Sequence, residues 1–174
     1  RGGRQELSLC SEVRLEINRT EATADFTLHQ GEEVTFVLAY GHGRSQRIET
    51  YRSRQKLEQT RVYWEVLASG ITYDGLWKDE VVRSFLVLHL MIYQATGAII
   101  AAPTASLPET VGGTRNWDYR YTWLRDAAFT VYAFIRVGMI SEAEQFMSWI
   151  QDRCNEVVAG ETPNIMYRLD GGST

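Results

Sequence analysis

Residues 112–126, GGTRNWDYRYTWLRD, bring four aromatic side chains, three arginines and two aspartates into fifteen positions. Aromatic faces match the apolar C–H faces of sugar rings, and Arg and Asp hydrogen-bond to paired hydroxyls. A helix is expected to begin near Tyr121, so Arg125 and Asp126 fall in its first turn or so and point beyond that helix end. A loop running into a helix start is a sound place for a binding site. The same composition also fits core aromatics beside a structural ion-pair cluster. On residue types alone both readings stand.

Other chemistry is weakly signalled. His29, His42 and His89 are scattered singly, without ligand spacing, and are read as structural. Gly41-His42-Gly43 and Gly112-Gly113 lack the strand–glycine–helix context and the following Lys of a phosphate loop. No Gly-x-Ser-x-Gly elbow occurs, so no Ser-His-Asp grouping is suggested. No metal site and no cofactor is expected.

The elements that must position the cluster follow from periodicity. Val13, Leu15 and Ile17, then Ala22, Ala24, Phe26 and Leu28, then Val34, Phe36, Leu38 and Tyr40 alternate with period two. Three such runs joined by polar turns predict an antiparallel meander with one face buried, ended by Gly41-His42-Gly43. From about residue 43 to 70 the pattern turns charged and helical, with Leu57, Trp64 and Leu67 as apolar points. After Trp77, Asp79 and Glu80 suit a first helical turn, where acidic groups meet the positive end of the dipole. Val81, Phe85, Leu88 and Ile92 follow at helical spacing, widened by Val82, Leu86 and Tyr93, with Gly97 as the stop. Residues 98–102 make a short apolar run before Pro103, and residues 104–116 a long loop. The helix from near Tyr121 runs through Leu124, Ala127, Ala128, Val131 and Ile135 to Gly138. A third helix is expected from Ser141 as N-cap with Glu144 completing a capping box, burying Ala143, Met147, Ile150 and Cys154. Strands first and helices afterwards predict two structural units and not an alternating α/β domain.

Composition bounds the partners. The chain has 174 residues, 44% hydrophobic and 23% charged, with a net charge of -4. That excludes the basic surplus of a nucleic-acid binder. The basic residues Arg44, Arg47, Arg52, Arg54, Lys56 and Arg61 are interrupted by Glu49 and Glu58 and read as a solvated linker face. The longest apolar stretch, residues 85–91, contains His89 and is too short to span a bilayer. Cys10 and Cys154, the two cysteines, form no disulfide framework. With no signal segment, a cytoplasmic protein is expected. The abrupt start at Arg1-Gly2-Gly3-Arg4 and the turn signal at Asp170-Gly171-Gly172 read as the cut ends of an internal fragment.

The stretch Gly97-Ala98-Ile99-Ile100-Ala101-Ala102-Pro103-Thr104-Ala105-Ser106-Leu107-Pro108-Glu109, followed by residues 112–139, resembles the signature of glycoside hydrolase family 15, the glucoamylase and bacterial trehalase family. The resemblance extends to Val82-Arg83-Ser84, to residues 141–154 and to Ile165-Met166-Tyr167, and more weakly to the Gly31-Glu32 region. It implies the last strands of an N-terminal β-sandwich (residues 1–42), a helical linker (43–77) and the first three helices of an (α/α)6 barrel (78–174). It further implies hydrolysis of α-glucosidic bonds with inversion. That chemistry needs a carboxylic acid for the leaving oxygen and a carboxylate for water, roughly 6.5–9.5 Å apart. The family's two glutamates lie on later barrel loops, so no catalytic residue is expected within the chain and both are placed beyond Thr174.

By type and position Arg125 and Asp126 match the family pair that holds the terminal glucose hydroxyls, and Tyr119 and Trp123 the aromatics lining that subsite. Residues 114–118 match supporting positions, with Asp118 bracing Arg115 or Arg120, and Glu109 matches a loop hydrogen-bonding residue. The main expectation is an exo-acting, glucoamylase-like α-glucosidase. The alternatives are an α,α-trehalase of the same family and a non-catalytic carbohydrate-binding or regulatory module keeping the barrel. The expected partner is an α-glucoside (maltooligosaccharide, starch or trehalose), with no nucleic acid and no membrane, and with the oligomeric state open.

Overall fold

The computed structural model describes residues 6–41 and 47–173. Expectations resting on Arg1-Gly2-Gly3-Arg4, His42, Gly43, Arg44 and Thr174, the 42/43 boundary included, lie outside these residues. The chain forms two compact units divided between Tyr63 and Trp64.

In the first unit β1 (Leu7–Ser11), β2 (Glu16–Ile17), β3 (Ala22–Thr23) and β4 (Phe36–Tyr40) make two antiparallel pairs, β1 with β4 and β2 with β3. The register pairs Leu7 with Tyr40, Leu9 with Leu38 and Ser11 with Phe36. The β2–β3 hairpin is closed by Asn18, whose Oδ1 accepts the N–H groups of Thr20 and Glu21, both at 2.9 Å. This local bonding turns the chain after Ile17. The expected three-stranded meander does not form, because β4 takes β1 as its partner and residues 24–35 stay irregular. Nor do the described strands make a sandwich. The expected burial is also reversed. Phe36, Leu38 and Tyr40 are exposed, and Val37 and Ala39 on the opposite side are half-buried. A 3-10 turn at Ile48–Tyr51 leads into α1 (Ser53–Ser69), where Arg54, Lys56 and Arg61 are exposed, as a solvated face requires. No helix among the described residues is long and apolar enough to cross a membrane.

The second unit holds the core. α2 (Lys78–His89) opens with Asp79 and Glu80 in its first turn, but it ends eight residues before Gly97. Met91 and the following residues leave the helix to make a hairpin, β5 (Ile92–Tyr93) with β6 (Ala98–Ile99). Gly97 sits at φ +83 in its turn, and its N–H donates to Tyr93 O at 2.9 Å. A left-handed glycine ends a helix or closes a four-residue hairpin loop equally well, so the residue type did not distinguish them.

β7 (Thr122–Trp123) precedes α3 (Leu124–Arg136), so Tyr121 and Thr122 lie ahead of the helix rather than inside it. α3 closes with Gly138 at φ +85, Gly138 N–H donating to Ile135 O and Met139 N–H to Phe134 O, a Schellman motif. Met139 thereby becomes the N-cap of α4 (Ile140–Glu156), one residue after that motif. Ser141 is left inside the first turn, makes no cap, and donates its Oγ hydrogen to Glu142 at 2.7 Å. The expected capping box is absent for that reason.

α4 buries Glu142, Ala143, Phe146 and Trp149, while Met147 and Cys154 are exposed. The helix is rotated from the expected stripe because Phe146 and Trp149 remove more apolar area from water than Met147 and Cys154 would. Phe146 stacks on Trp149, whose ring meets Tyr167 of β8 (Met166–Tyr167) edge to face at 5.8 Å. Phe85 of α2 meets the fully buried Phe134 of α3 at 5.7 Å. The architecture is mixed, with four helices and short strand pairs, and the described residues form no closed barrel.

Candidate functional site

The aromatic-rich segment is held by an irregular ribbon where a long loop is expected. Ala101 N–H donates to Tyr121 O, Ala102 to Tyr119 O, Ser106 to Trp117 O and Glu109 to Arg115 O, at 2.7 to 3.2 Å. Trp117 N–H returns a bond to Ser106 Oγ at 2.6 Å, and Ala105 bridges Asp118. Residues 101–109 and 115–121 thus run antiparallel, with Gly112 at φ +76 near the tip. Beyond them β7 pairs with β8, Thr122 opposite Tyr167 and Trp123 opposite Met166. Thr122 is fully buried, which anchors the strand directly before α3.

Tyr119 and Trp123 come together with ring centroids 6.1 Å apart, and Trp117 meets Trp123 at 6.4 Å, both edge to face. Trp123 is half-buried, and its indole Nε1–H donates to the backbone oxygen of Asp118 at 2.9 Å. Asp118 braces Arg120, not Arg115. Its Oδ1 accepts Arg120 Nε at 2.9 Å and its Oδ2 accepts Nη2 at 2.7 Å. These bonds from the Arg120 side chain, with a further one from the Arg120 backbone, lower the Asp118 carboxyl from 3.8 to about 2. Arg115 stands beside Glu109 at 3.9 Å, and Glu109 accepts the Trp117 indole N–H at 3.2 Å, a loop-bracing role.

Arg125 and Asp126 are the second and third residues of α3. Arg125 Nη2 lies 3.2 Å from Asp126 Oδ2, with the arginine side chain 73% exposed and the aspartate 32% exposed. Asp126 lies in the first turn of α3, where the positive helix end attracts negative charge. A guanidinium carries five N–H donors, and Arg125 Nη2 donates one to Asp126 Oδ2. With the guanidinium largely exposed, the pair has the donors and acceptors that a set of vicinal hydroxyls requires. The two pairs are linked through the chain, since Trp123 is the N-cap residue of α3.

The remaining candidates fall elsewhere. His29 pairs with Glu32 on the surface at 3.2 Å. His89 ends α2 between the rings of Trp64 and Phe85, with Glu142 at 3.7 Å. Burial lowers its pKa, against the raising effect of Glu142. Cys154 is exposed and Cys10 half-buried, and neither is in a disulfide. Among the described residues no cluster of His, Cys, Asp and Glu could hold a metal ion.

An open groove that the sequence reading passed over has a volume of about 340 Å³ and is lined by Tyr93, Arg120, Tyr121, Arg168, Leu169 and Asp170. Its signal is a further arginine–aspartate pair, Arg168 with Asp170, in the glycine-rich stretch near residue 171.

Comparison with known proteins converges on one family. The model of glycosyl hydrolases family 15 matches residues 75–174. A trehalase of Thermoplasma acidophilum is 38% identical over 149 residues, 86% of this chain and 26% of that protein. A trehalase of Mycolicibacterium smegmatis is 38% identical over 168 residues, 95% of this chain and 25% of that protein. Trehalase 1 of Sulfolobus acidocaldarius is 39% identical over 94 residues, 53% of this chain and 17% of that protein. The chain spans about a quarter of the length of the first two relatives. No solved structure matches it significantly. With more than half of its residues matching the family model, the chain belongs to glycoside hydrolase family 15.

Proposed function

We propose that the protein carrying this chain is an α,α-trehalase, and that Tyr119, Trp123, Arg125 and Asp126 grip one glucose unit of the disaccharide. The observation that carries this reading is the ion pair at the start of α3. The pair is solvent-accessible and begins two residues after Trp123, in an aromatic cluster braced on several sides. Family membership makes that grip one for an α-glucoside. The names of the relatives favour trehalose over the maltooligosaccharide preference expected from the sequence. Family resemblance supplies the rest: an (α/α)6 barrel and two glutamates beyond Thr174 as acid and base.

In such a site one carboxylic acid protonates the bridging oxygen while the other carboxylate takes a proton from water. Water attacks the anomeric carbon of the gripped glucose from the face opposite the bond that breaks. Arg125 and Asp126 hold that sugar's hydroxyls and keep it aligned. The gripped unit leaves as β-glucose. The departing unit keeps its α configuration, so trehalose yields the two anomers in equal initial amounts.

The test is to assay the full-length protein on trehalose, maltotriose and starch, following the anomers first released. Cleavage of trehalose with β- and α-glucose appearing together is expected. Release of α-glucose alone from trehalose would overturn the mechanism, and preferential attack on starch would return the assignment to an exo-α-glucosidase. Sugar binding without hydrolysis would indicate a non-catalytic module.

A further inference from the structure

We infer that Asp118 and Arg120 are positioning residues for Trp123, a clamp that fixes the indole through the Asp118 peptide group. This rests on Trp123 lining the sugar site, as proposed above. Asp118 is used twice. Its side chain accepts Arg120 N–H at 3.0 Å and the Arg120 guanidinium in a two-point fork, while its backbone oxygen accepts the Trp123 indole N–H at 2.9 Å.

The first set of bonds closes an Asx turn, which fixes the backbone torsions around residue 118 and so the direction of its carbonyl. The fork adds geometric specificity that a single bond lacks. On the other side the same peptide is tied to the neighbouring strand by the Ala105 bridge. An indole N–H is a lone donor, so where it finds its acceptor sets the rotation of the ring. The edges of Trp117 and Tyr119 restrain the ring as well, and Trp117 is itself held through Glu109. The aromatic wall is therefore built before any ligand arrives, which lowers the ordering cost of binding.

The inference separates the clamp from the grip. Arg125 and Asp126 are positioned to touch a ligand. Asp118 and Arg120 act through Trp123 alone. Weakening the clamp should loosen the ring and raise KM, with little change in the steps that follow binding.

The experiment uses the full-length protein labelled with 5-fluorotryptophan, the Trp123 fluorine line being assigned with Trp123→Phe. Asp118→Asn and Arg120→Gln are expected to shift or broaden that line. They should also raise KM for trehalose roughly tenfold while kcat stays within about twofold. Arg120→Lys keeps the charge without the planar fork and should give an intermediate KM. The melting temperature should move little in all three, since Arg120 is exposed and Asp118 only half-buried. An unmoved Trp123 line in Asp118→Asn and Arg120→Gln overturns the inference whatever the kinetics. A shifted line with unchanged KM supports the clamp and instead overturns the placing of Trp123 against the sugar.

Discussion

Arg125 and Asp126 stand at the second and third positions of α3, where the helix itself contributes to the field around them. Neither is needed to hold the core, because Arg125 is largely exposed and Asp126 lies at the rim. Replacing either with alanine in the full-length protein should therefore harm turnover much more than folding. Loss of a hydrogen bond to a charged group costs about 1.5–3 kcal/mol, with more lost if the bond tightens in the transition state. Arg125→Lys should also be poor, since an ammonium cannot reproduce the two-pronged donor. Kinetics and thermal melts on the same variants check this. Normal kcat/KM with a lowered melting temperature would make the pair structural.

At the scale of elements, two contacts decide how α4 meets its neighbours. His89, at the end of α2, is half-buried beside Glu142 of α4. Its folded pKa lies below the ordinary imidazole value of about 6.5, with burial as the main cause. The unfolded chain then binds the proton more readily than the folded one. The stability from this site is complete above about pH 6.5 and is lost as pH falls through the depressed folded value. Melting temperature should drop as the pH is lowered through that window, and His89→Gln should flatten the drop. A parallel pH profile for the two proteins would refute it.

The second contact is Gly97. A Cβ there would stand 2.8 Å from the Gln145 carbonyl oxygen in α4, and φ is +83. Gly97→Ala should cost about 1–2 kcal/mol for the left-handed backbone and further for the clash. Gly160, with φ +93 and open space around it, is the control that bears the backbone cost alone. Equal melting-temperature losses at the two sites would show that the packing against α4 is unimportant.

Over the whole molecule, burial is unevenly shared. None of the described residues up to Tyr63 is buried, whereas the second unit contains every residue of the core, from Ile71 to Tyr167. Local opening requires little where few apolar groups are removed from water. Hydrogen exchange should accordingly protect amides of α3 and α4 far more than those of β1 and β4. Comparable protection in both would mean that the apolar face of Phe36, Leu38 and Tyr40 is covered in solution.

The sequence by itself determined the helix-rich second half, its left-handed glycines and the candidate ligand residues. Those residues were legible because all lie within one fifteen-residue stretch, and their spacing next to a helix start is a local property. What holds them was not. The irregular ribbon of residues 101–109 with 115–121 and the β7–β8 pairing of Thr122 with Tyr167 depend on partners outside the stretch, and no local pattern announces them. Tertiary structure also chose between outcomes that are locally equivalent. Gly97 serves a hairpin and not a helix end, because Ile92 and Ile99 pair across it. Ser141 loses its cap because the Schellman turn at Gly138 starts α4 two residues earlier, with Met139 as N-cap. The face that α4 buries was settled by the bulk of Phe146 and Trp149 against Tyr167. Periodicity specifies a helix, but packing against distant residues specifies how that helix is turned.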